Sequence, residues 1–352
     1  MLDFTSALYL GLRHPHAALK PWRSLTAGRP AALEPPPGAE AVETELARLI
    51  GCEQAVLATS TLHLFWDIFE VLADEGIAVF VDSGSYPISR WGAERAAAKG
   101  APVYFFPQHD PAALERSLLR CRRLRPVVLT DGLSPATGKL APLPAYLRLA
   151  QQYGGWLLVD DTQAFGILGR KLCKTAPYGC GGGGAPAWHG LRATELIVAS
   201  SLAKGFGAPL AVLAGSRELI AAYEERSLCR VHCSPPSVAA IAAADHALRL
   251  NRTWGARLRL RLAQRVQQFR SLLREFGIAV NGGLFPVQTP VINAAEEVHA
   301  RLEAEGIRAV LHQARKNRPA QLSFLITAED EPWEIEQAAC SLAEIVHHFT
   351  TN

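Results

Sequence analysis

The sequence predicts an α/β fold: a mostly parallel seven-stranded sheet with helices on both faces, followed by a smaller α+β C-terminal domain. Three observations lead there. From Ala55 to Gly215, short uncharged apolar runs alternate with helical patterns, the rhythm of parallel strands joined by helical crossovers. Two of those runs, Trp156–Val159 and Leu196–Ala199, are apolar throughout rather than alternating, as in strands buried on both faces. Beyond Ser234-Pro235-Pro236 the pattern changes to long helical stretches with short strands between them.

Taken in order, Leu2–Leu12 reads as an arm with apolar anchors, and Pro30 and Pro35-Pro36-Pro37-Gly38 mark an extended passage. A helix is predicted over Ala41–Ile50, with Glu43, Glu45 and Arg48 outward. Strands are expected at Ala55–Thr59, Ile77–Val81, Val103–Phe106, Val127–Thr130, Trp156–Val159, Leu196–Ala199 and Leu210–Ala214. Between them, helices are expected at Leu62–Ala73, Arg90–Lys99, Pro111–Arg120 and Leu143–Tyr153. Ser237 to Phe276 reads as one long helix with arginines on its outer face. Short strands near Pro286–Ile292 and Leu322–Ile326 and helices near Ala295–Glu305 and Trp333–Phe349 follow. These boundaries divide the chain into an arm (1–40), a large domain (41–236), and a connecting helix with a small domain (237–352). No internal repeat is visible, and Gly181–Gly184 reads as a flexible surface turn.

Length and charge narrow the function. The 352 residues suffice for one large core and a smaller second one. The formal charge of +3 comes from 36 basic and 33 acidic residues mixed along the chain, which gives no reason to expect nucleic acid or an anionic membrane as partner. The first residues lack the basic start and apolar core of a signal peptide, and no uncharged apolar run approaches the ~20 residues needed to span a bilayer. With seven cysteines, an odd number, reduced thiols and a cytoplasmic location are expected.

Two strand ends carry the chemistry. One run stops at Asp160-Asp161-Thr162-Gln163, the other at Ser200-Ser201-Leu202-Ala203-Lys204-Gly205. In open α/β sheets ligands bind outside the carboxyl ends of the strands. A carboxylate on one strand end and a lysine after another fit a lysine Schiff base with an acidic partner for a pyridinium nitrogen. That pairing points to pyridoxal 5'-phosphate (PLP).

Four segments carry a family resemblance: Leu2–His16, Leu133–Gly169, Ser200–Ile220 and Ser234–Leu248. Through them the chain resembles the α-oxoamine synthases of the fold-type I PLP-dependent transferases, in particular the 8-amino-7-oxononanoate synthase type, over nearly its whole length. The resemblance implies that Lys204 forms the covalent cofactor link and that Asp160 keeps the pyridine nitrogen protonated. It further implies that Ser201, with the backbone amides of Thr61 and Leu62 at a helix start, binds the phosphate. It also implies a homodimer with a shared active site, and condensation of an amino acid with an acyl thioester carried on coenzyme A or a carrier protein. Lys204 is then the natural base at Cα.

Departures from the family fall on the substrate side. The ring-stacking His is Tyr86, and the His of the Asp-x-x-His segment is Gln163, an amide that hydrogen-bonds but does not titrate. The serine preceding the Pro-Leu block falls near Ser134, one residue out of register. The carboxylate-binding Arg is absent from Ala320-Gln321-Leu322-Ser323, leaving Arg315 and Arg318 just upstream as substitutes. His63 stands where the family has a small residue and can reach substrate, although a helix-surface histidine is the preferred reading. An enzyme with altered substrate recognition is therefore expected. The alternatives are another PLP reaction on the same scaffold (transamination or decarboxylation) and a non-catalytic partner subunit. Neither the Cys173, Cys180, His189 group nor the Cys229, His232, Cys233 group has a zinc-ligand spacing, so no metal is expected.

Overall fold

A computed structural model describes residues 1–120, 123–171, 175–314 and 319–350, for the last two of these the backbone only. After β1 (Leu2–Asp3) the chain alternates α1 (Ala39–Ile50), β2 (Gln54–Ala58), α2 (Thr61–Ala73), β3 (Ile77–Asp82), α3 (Pro87–Ala98), β4 (Val103–Phe106), α4 (Pro111–Leu118) and β5 (Arg125–Asp131). A small ribbon, β6 (Leu133–Ser134) and β7 (Lys139–Leu140), precedes α5 (Leu143–Gln152) and β8 (Trp156–Asp160). Then come α6 (Gly184–Trp188), β9 (Leu196–Ser201), β10 (Ala211–Gly215), α7 (Arg217–Arg226) and α8 (Leu228–His232). The C-terminal part holds α9 (Val238–Thr253), α10 (Gly255–Glu275), β11 (Val280–Asn281), β12 (Val287–Pro290), α11 (Ala295–Ala304), β13 (Ile307–Arg308), β14 (Val310–His312), β15 (Gln321–Leu325) and α12 (Pro332–Thr350).

The main sheet has seven strands in the order β2-β10-β9-β8-β5-β3-β4. All neighbours run parallel except β10, which is antiparallel to both β2 and β9. Its two faces feed separate cores. On β3, Ala78 and Phe80 join the core of α1, α5 and the C-terminal helices, whereas Ile77, Val79 and Val81 join the core of α2, α3 and α7. Period-2 alternation on a strand apolar at both parities produces this division. Each fully buried aliphatic or aromatic side chain in these layers contributes about 1.5–3 kcal/mol. A second sheet, β11-β12-β15-β14, is antiparallel; α10 and α11 pack against it and α12 packs on those two helices.

The seven predicted strands are all present. Two expectations need correction. The single long helix is two helices, α9 and α10, broken at Trp254. The break belongs to a buried network: Arg259 Nη1 donates to Asn251 Oδ1 at 2.7 Å and to the Gly166 carbonyl at 3.0 Å. A Cβ on Gly255 would come within 2.5 Å of Asn251 Oδ1 and 2.9 Å of Arg259 Nη2, so the chain turns where the side chains converge. Gly181–Gly184 is not a surface turn either. Gly182, Gly183 and Gly184 are buried, and at Gly184 (φ +87°) a Cβ would fall 1.6 Å from Asp161 Oδ2. Those glycines are there because other groups press against the backbone. The helices α7 and α8 fall in a stretch for which the sequence predicts no element.

Candidate active site

Four parallel strands end in polar residues on one edge of the sheet: β3 at Asp82, β5 at Asp131, β8 at Asp160 and β9 at Ser201. Register places Asp131 directly beside Asp160. Burial pushes both carboxyls above the usual carboxylate range, and for Asp131 the neighbouring Asp160 charge adds to the effect. The Thr162 backbone N–H donates to Asp160 Oδ1 at 3.1 Å and lowers Asp160 in part. Asp161, fully buried, is raised further by burial, with the Ala185 N–H at 3.1 Å as partial compensation. Three enclosed carboxylates thus crowd one strand end, and Asp131, which sequence reasoning passed over, is one of them.

Lys204 faces this group from the loop between β9 and β10. The loop closes through Leu202 N–H to the Leu210 carbonyl at 2.9 Å. Phe206 plugs it into the core against Phe165, ring centroids 4.9 Å apart. Gly205 is required there, since a Cβ would meet the Phe165 carbonyl at 2.3 Å. Burial lowers the Lys204 ammonium below the usual lysine range, while Asp160 and Asp131 act in the opposite direction. The lysine is thereby biased toward a neutral amine, the form that attacks carbonyl carbon.

Around this pair the predicted residues divide. Ser201 is tied in: its N–H donates to Thr162 Oγ1 at 3.0 Å, and its Oγ accepts from Ala203 N–H at 3.2 Å. Gln163 Oε1 accepts from Tyr9 Oη at 2.9 Å. That phenol is buried and its pKa is raised by desolvation, and it arrives from the N-terminal arm. The same arm brings His14, whose Nε2 lies 2.7 Å from the Phe206 carbonyl and whose Nδ1 lies 3.0 Å from His246 Nδ1. Tyr86 N–H donates to Asp131 Oδ1 at 3.1 Å, which fixes the start of α3, while its ring is 54% exposed. Ser134 is buried in the β6–β7 ribbon and its carbonyl accepts from Gly138 N–H at 2.8 Å.

Thr61 and Leu62 begin α2, whose first turn has no side-chain cap. Ser60, at the cap position, instead places Oγ 2.9 Å from His63 Nδ1. The first-turn amides are left for an anion. Ala58 at the end of β2 pairs with Ala211, which pairs with Ser201, so the strand end that leads into this helix lies roughly 10 Å, two strand spacings, from the serine. His63 itself is half-buried and sits with Cys229 and Cys233 rather than on an open helix surface. Arg315 and Arg318 lie outside the described residues.

A profile of the aminotransferase class I and II family matches residues 1–310. The 8-amino-7-oxononanoate synthase of Dechloromonas aromatica is 31% identical over 316 residues, covering 87% of this chain and 78% of that protein. That of Methylococcus capsulatus is 30% identical, covering 87% and 77%. Among solved structures, serine palmitoyltransferase of Sphingomonas wittichii superposes with a TM-score of 0.84 at 17% identity, covering 97% of this chain and 86% of its own. The Francisella tularensis 8-amino-7-oxononanoate synthase superposes with 0.74 at 18% identity, covering 99% of each. No helix among the described residues is long and apolar enough to cross a membrane. The chain belongs to the aminotransferase class I and II family, as a distant homologue of the 8-amino-7-oxononanoate synthases, and it shares its fold with serine palmitoyltransferase.

Proposed function

We propose that this protein is a PLP-dependent transferase that condenses an amino acid with an acyl thioester, with a substrate pocket altered from that of its relatives. The observation that carries the reading is the meeting of Lys204 with the Asp131–Asp160 pair at one strand end. Enclosed carboxylates facing one lysine are short of positive charge. A pyridinium N–H is a fitting addition to that set, and an uncapped helix start at Thr61 suits a phosphate. Lys204 would hold the cofactor through Nζ, Asp160 its ring nitrogen, and Ser201 with the Thr61 and Leu62 amides its phosphate. When bound, PLP supplies an electron sink for negative charge at the amino acid Cα.

The chain's own groups do the rest. Lys204 Nζ, whose ammonium gives up its proton more readily because it is buried, takes and returns the proton at Cα. Asp160, with Asp131 beside it, would favour positive charge at the ring-nitrogen end. Gln163, with Oε1 occupied by Tyr9, would have its amide N–H groups left to donate to the cofactor's phenolic oxygen, and Tyr86 would cover a ring face. In this reading residues 41–236 form the cofactor domain and 237–352 the second domain. The exposed Tyr86 ring is covered by a second copy in a cytoplasmic homodimer. The family's carboxylate-binding arginine is absent from Ala320-Gln321-Leu322-Ser323, which supports altered substrate recognition. Since Gln163 carries no titratable proton, a transamination or decarboxylation on the same residues is the second reading.

Absorption spectra of the full-length protein with PLP and single amino acids, followed by acyl-coenzyme A addition, test this. Amino-acid-dependent release of free thiol that is lost in Lys204→Ala is the expected result. Keto-acid or carbon dioxide formation without thioester would replace it with the second reading. Failure to take up PLP at all would end both.

A further inference from the structure

Away from the strand ends, the structure gathers three metal-ligating side chains that the sequence keeps apart. His63 from the first turn of α2 and Cys229 and Cys233 from α8 and its end each offer a ligand atom, all within 4.8 Å of one another. They line a cavity of about 20 Å³ together with Thr59, Ser234 and Pro235, room for a single water-sized sphere. We propose that His63, Cys229 and Cys233 form a binding site for a thiolate-seeking divalent cation of the zinc type.

The chemistry agrees in several respects. Tetrahedral zinc with bonds of ~2.3 Å to sulfur and ~2.0 Å to nitrogen places its ligand atoms roughly 3.5–3.8 Å apart, so only a small contraction of the cluster is required. Two thiolates balance a divalent charge, and the imidazole joins as a neutral ligand. The ligands are already oriented. Ser60 Oγ lies 2.9 Å from His63 Nδ1, and in the tautomer in which Nδ1 donates to it, Nε2 carries the lone pair for a metal. Asp67 is fully buried, accepts from Ser227 Oγ, and accepts the Cys229 N–H at 3.1 Å. It forms no salt bridge among the described residues, so a cation next to Cys229 would stand beside an otherwise uncompensated carboxylate. The site would tie α2 to the α8 segment beside the Thr59 hydroxyl, which already donates to the Ser234 carbonyl at 2.9 Å.

Sequence spacing hides this site. Cys229 and Cys233 are four residues apart and the third ligand comes from position 63, so no paired Cys-x-x-Cys exists. The nearby His232 is exposed and is not part of the cluster.

The test uses full-length, PLP-treated protein kept reduced and freed of metal by chelator. Cobalt(II) is added, and difference spectra are recorded against the metal-free sample. One equivalent should produce a sulfur-to-cobalt charge-transfer band in the near-ultraviolet that zinc displaces. Cys229→Ser and Cys233→Ser should each remove it, Cys52→Ser and Cys340→Ser should retain it, and His63→Asn should weaken cobalt binding more than tenfold. In unmodified protein, one equivalent of zinc should protect two thiols from a thiol-specific reagent, a readout that depends on no variant folding. A missing band, a band that survives in the Cys229→Ser, Cys233→Ser double variant, or zinc that protects no thiol overturns the proposal.

Discussion

Replacing Asp160 by Asn separates two effects of opposite sign. In the cofactor-free protein the Asp160 carboxyl is 7% exposed and lies beside Asp131, and burial raises its pKa above the ordinary 3.8. A raised carboxyl binds its proton more tightly folded than unfolded. Its contribution is therefore full below about pH 4 and is lost as pH rises through the folded-state pKa. Asn carries no such loss, so apo Asp160→Asn should melt higher than wild type at pH 7, by roughly 2–4 °C per kcal/mol recovered, with the difference disappearing near pH 3. With PLP the order should reverse. Losing one member of a buried ion pair costs about 3–5 kcal/mol, roughly 100- to 3,000-fold in PLP affinity at 1.4 kcal/mol per decade. The assay is a PLP titration by absorbance, paired with melting curves of both proteins with and without cofactor across pH 3–8. A PLP affinity within threefold of wild type would refute the assignment of Asp160 to the ring nitrogen. A lower apo melting temperature at pH 7 would refute the electrostatic account of the strand-end cluster.

Other expectations concern the scaffold of the same site. Tyr9→Phe removes the 2.9 Å bond to Gln163 Oε1 and should cost about 1 kcal/mol of stability, while lowering kcat more than it raises KM; an unchanged kcat would separate Tyr9 from the reaction. Gly184→Ala forces a Cβ to 1.6 Å from Asp161 Oδ2 at φ +87° and should destabilise by more than ~3 kcal/mol, visible as loss of soluble protein or a lowered denaturation midpoint. Arg259→Leu strips the Gly166 carbonyl and Asn251 of their buried donor and should cost about 2–4 kcal/mol in urea unfolding, where a loss below 0.5 kcal/mol would show that the network is not needed at the α9–α10 break.

The strands were legible because Trp156–Val159 and Leu196–Ala199 are apolar at every position, a pattern that only burial on both faces requires. Asp160 and Lys204 were legible because they terminate or follow such runs. Asp131 ends a run just as clearly, yet its importance comes from cross-strand register, which one sequence does not print. Tyr9 and His14 reach Gln163 and Phe206 across more than 150 residues of chain, and His63 reaches Cys229 in the same way. Local pattern also misled. The Arg-rich stretch through Trp254 keeps helical periodicity on both sides of its break, and the glycines at 182–184 look solvent-facing until Asp161 is placed against them.

The N-terminal arm has a consequence for the order in which the molecule is made. Leu2 pairs with Ile307, Phe4 N–H bonds the Arg308 carbonyl, Leu325 N–H bonds the Phe4 carbonyl, and Ala328 N–H bonds the Tyr9 carbonyl. Residues 2–9 thus wait for residues 306–328, far later in the chain, before they find their seats. Gln163 receives its tyrosine only when that clasp is fastened, so a nascent chain can complete its seven-stranded sheet with Lys204 in place and still lack that contact.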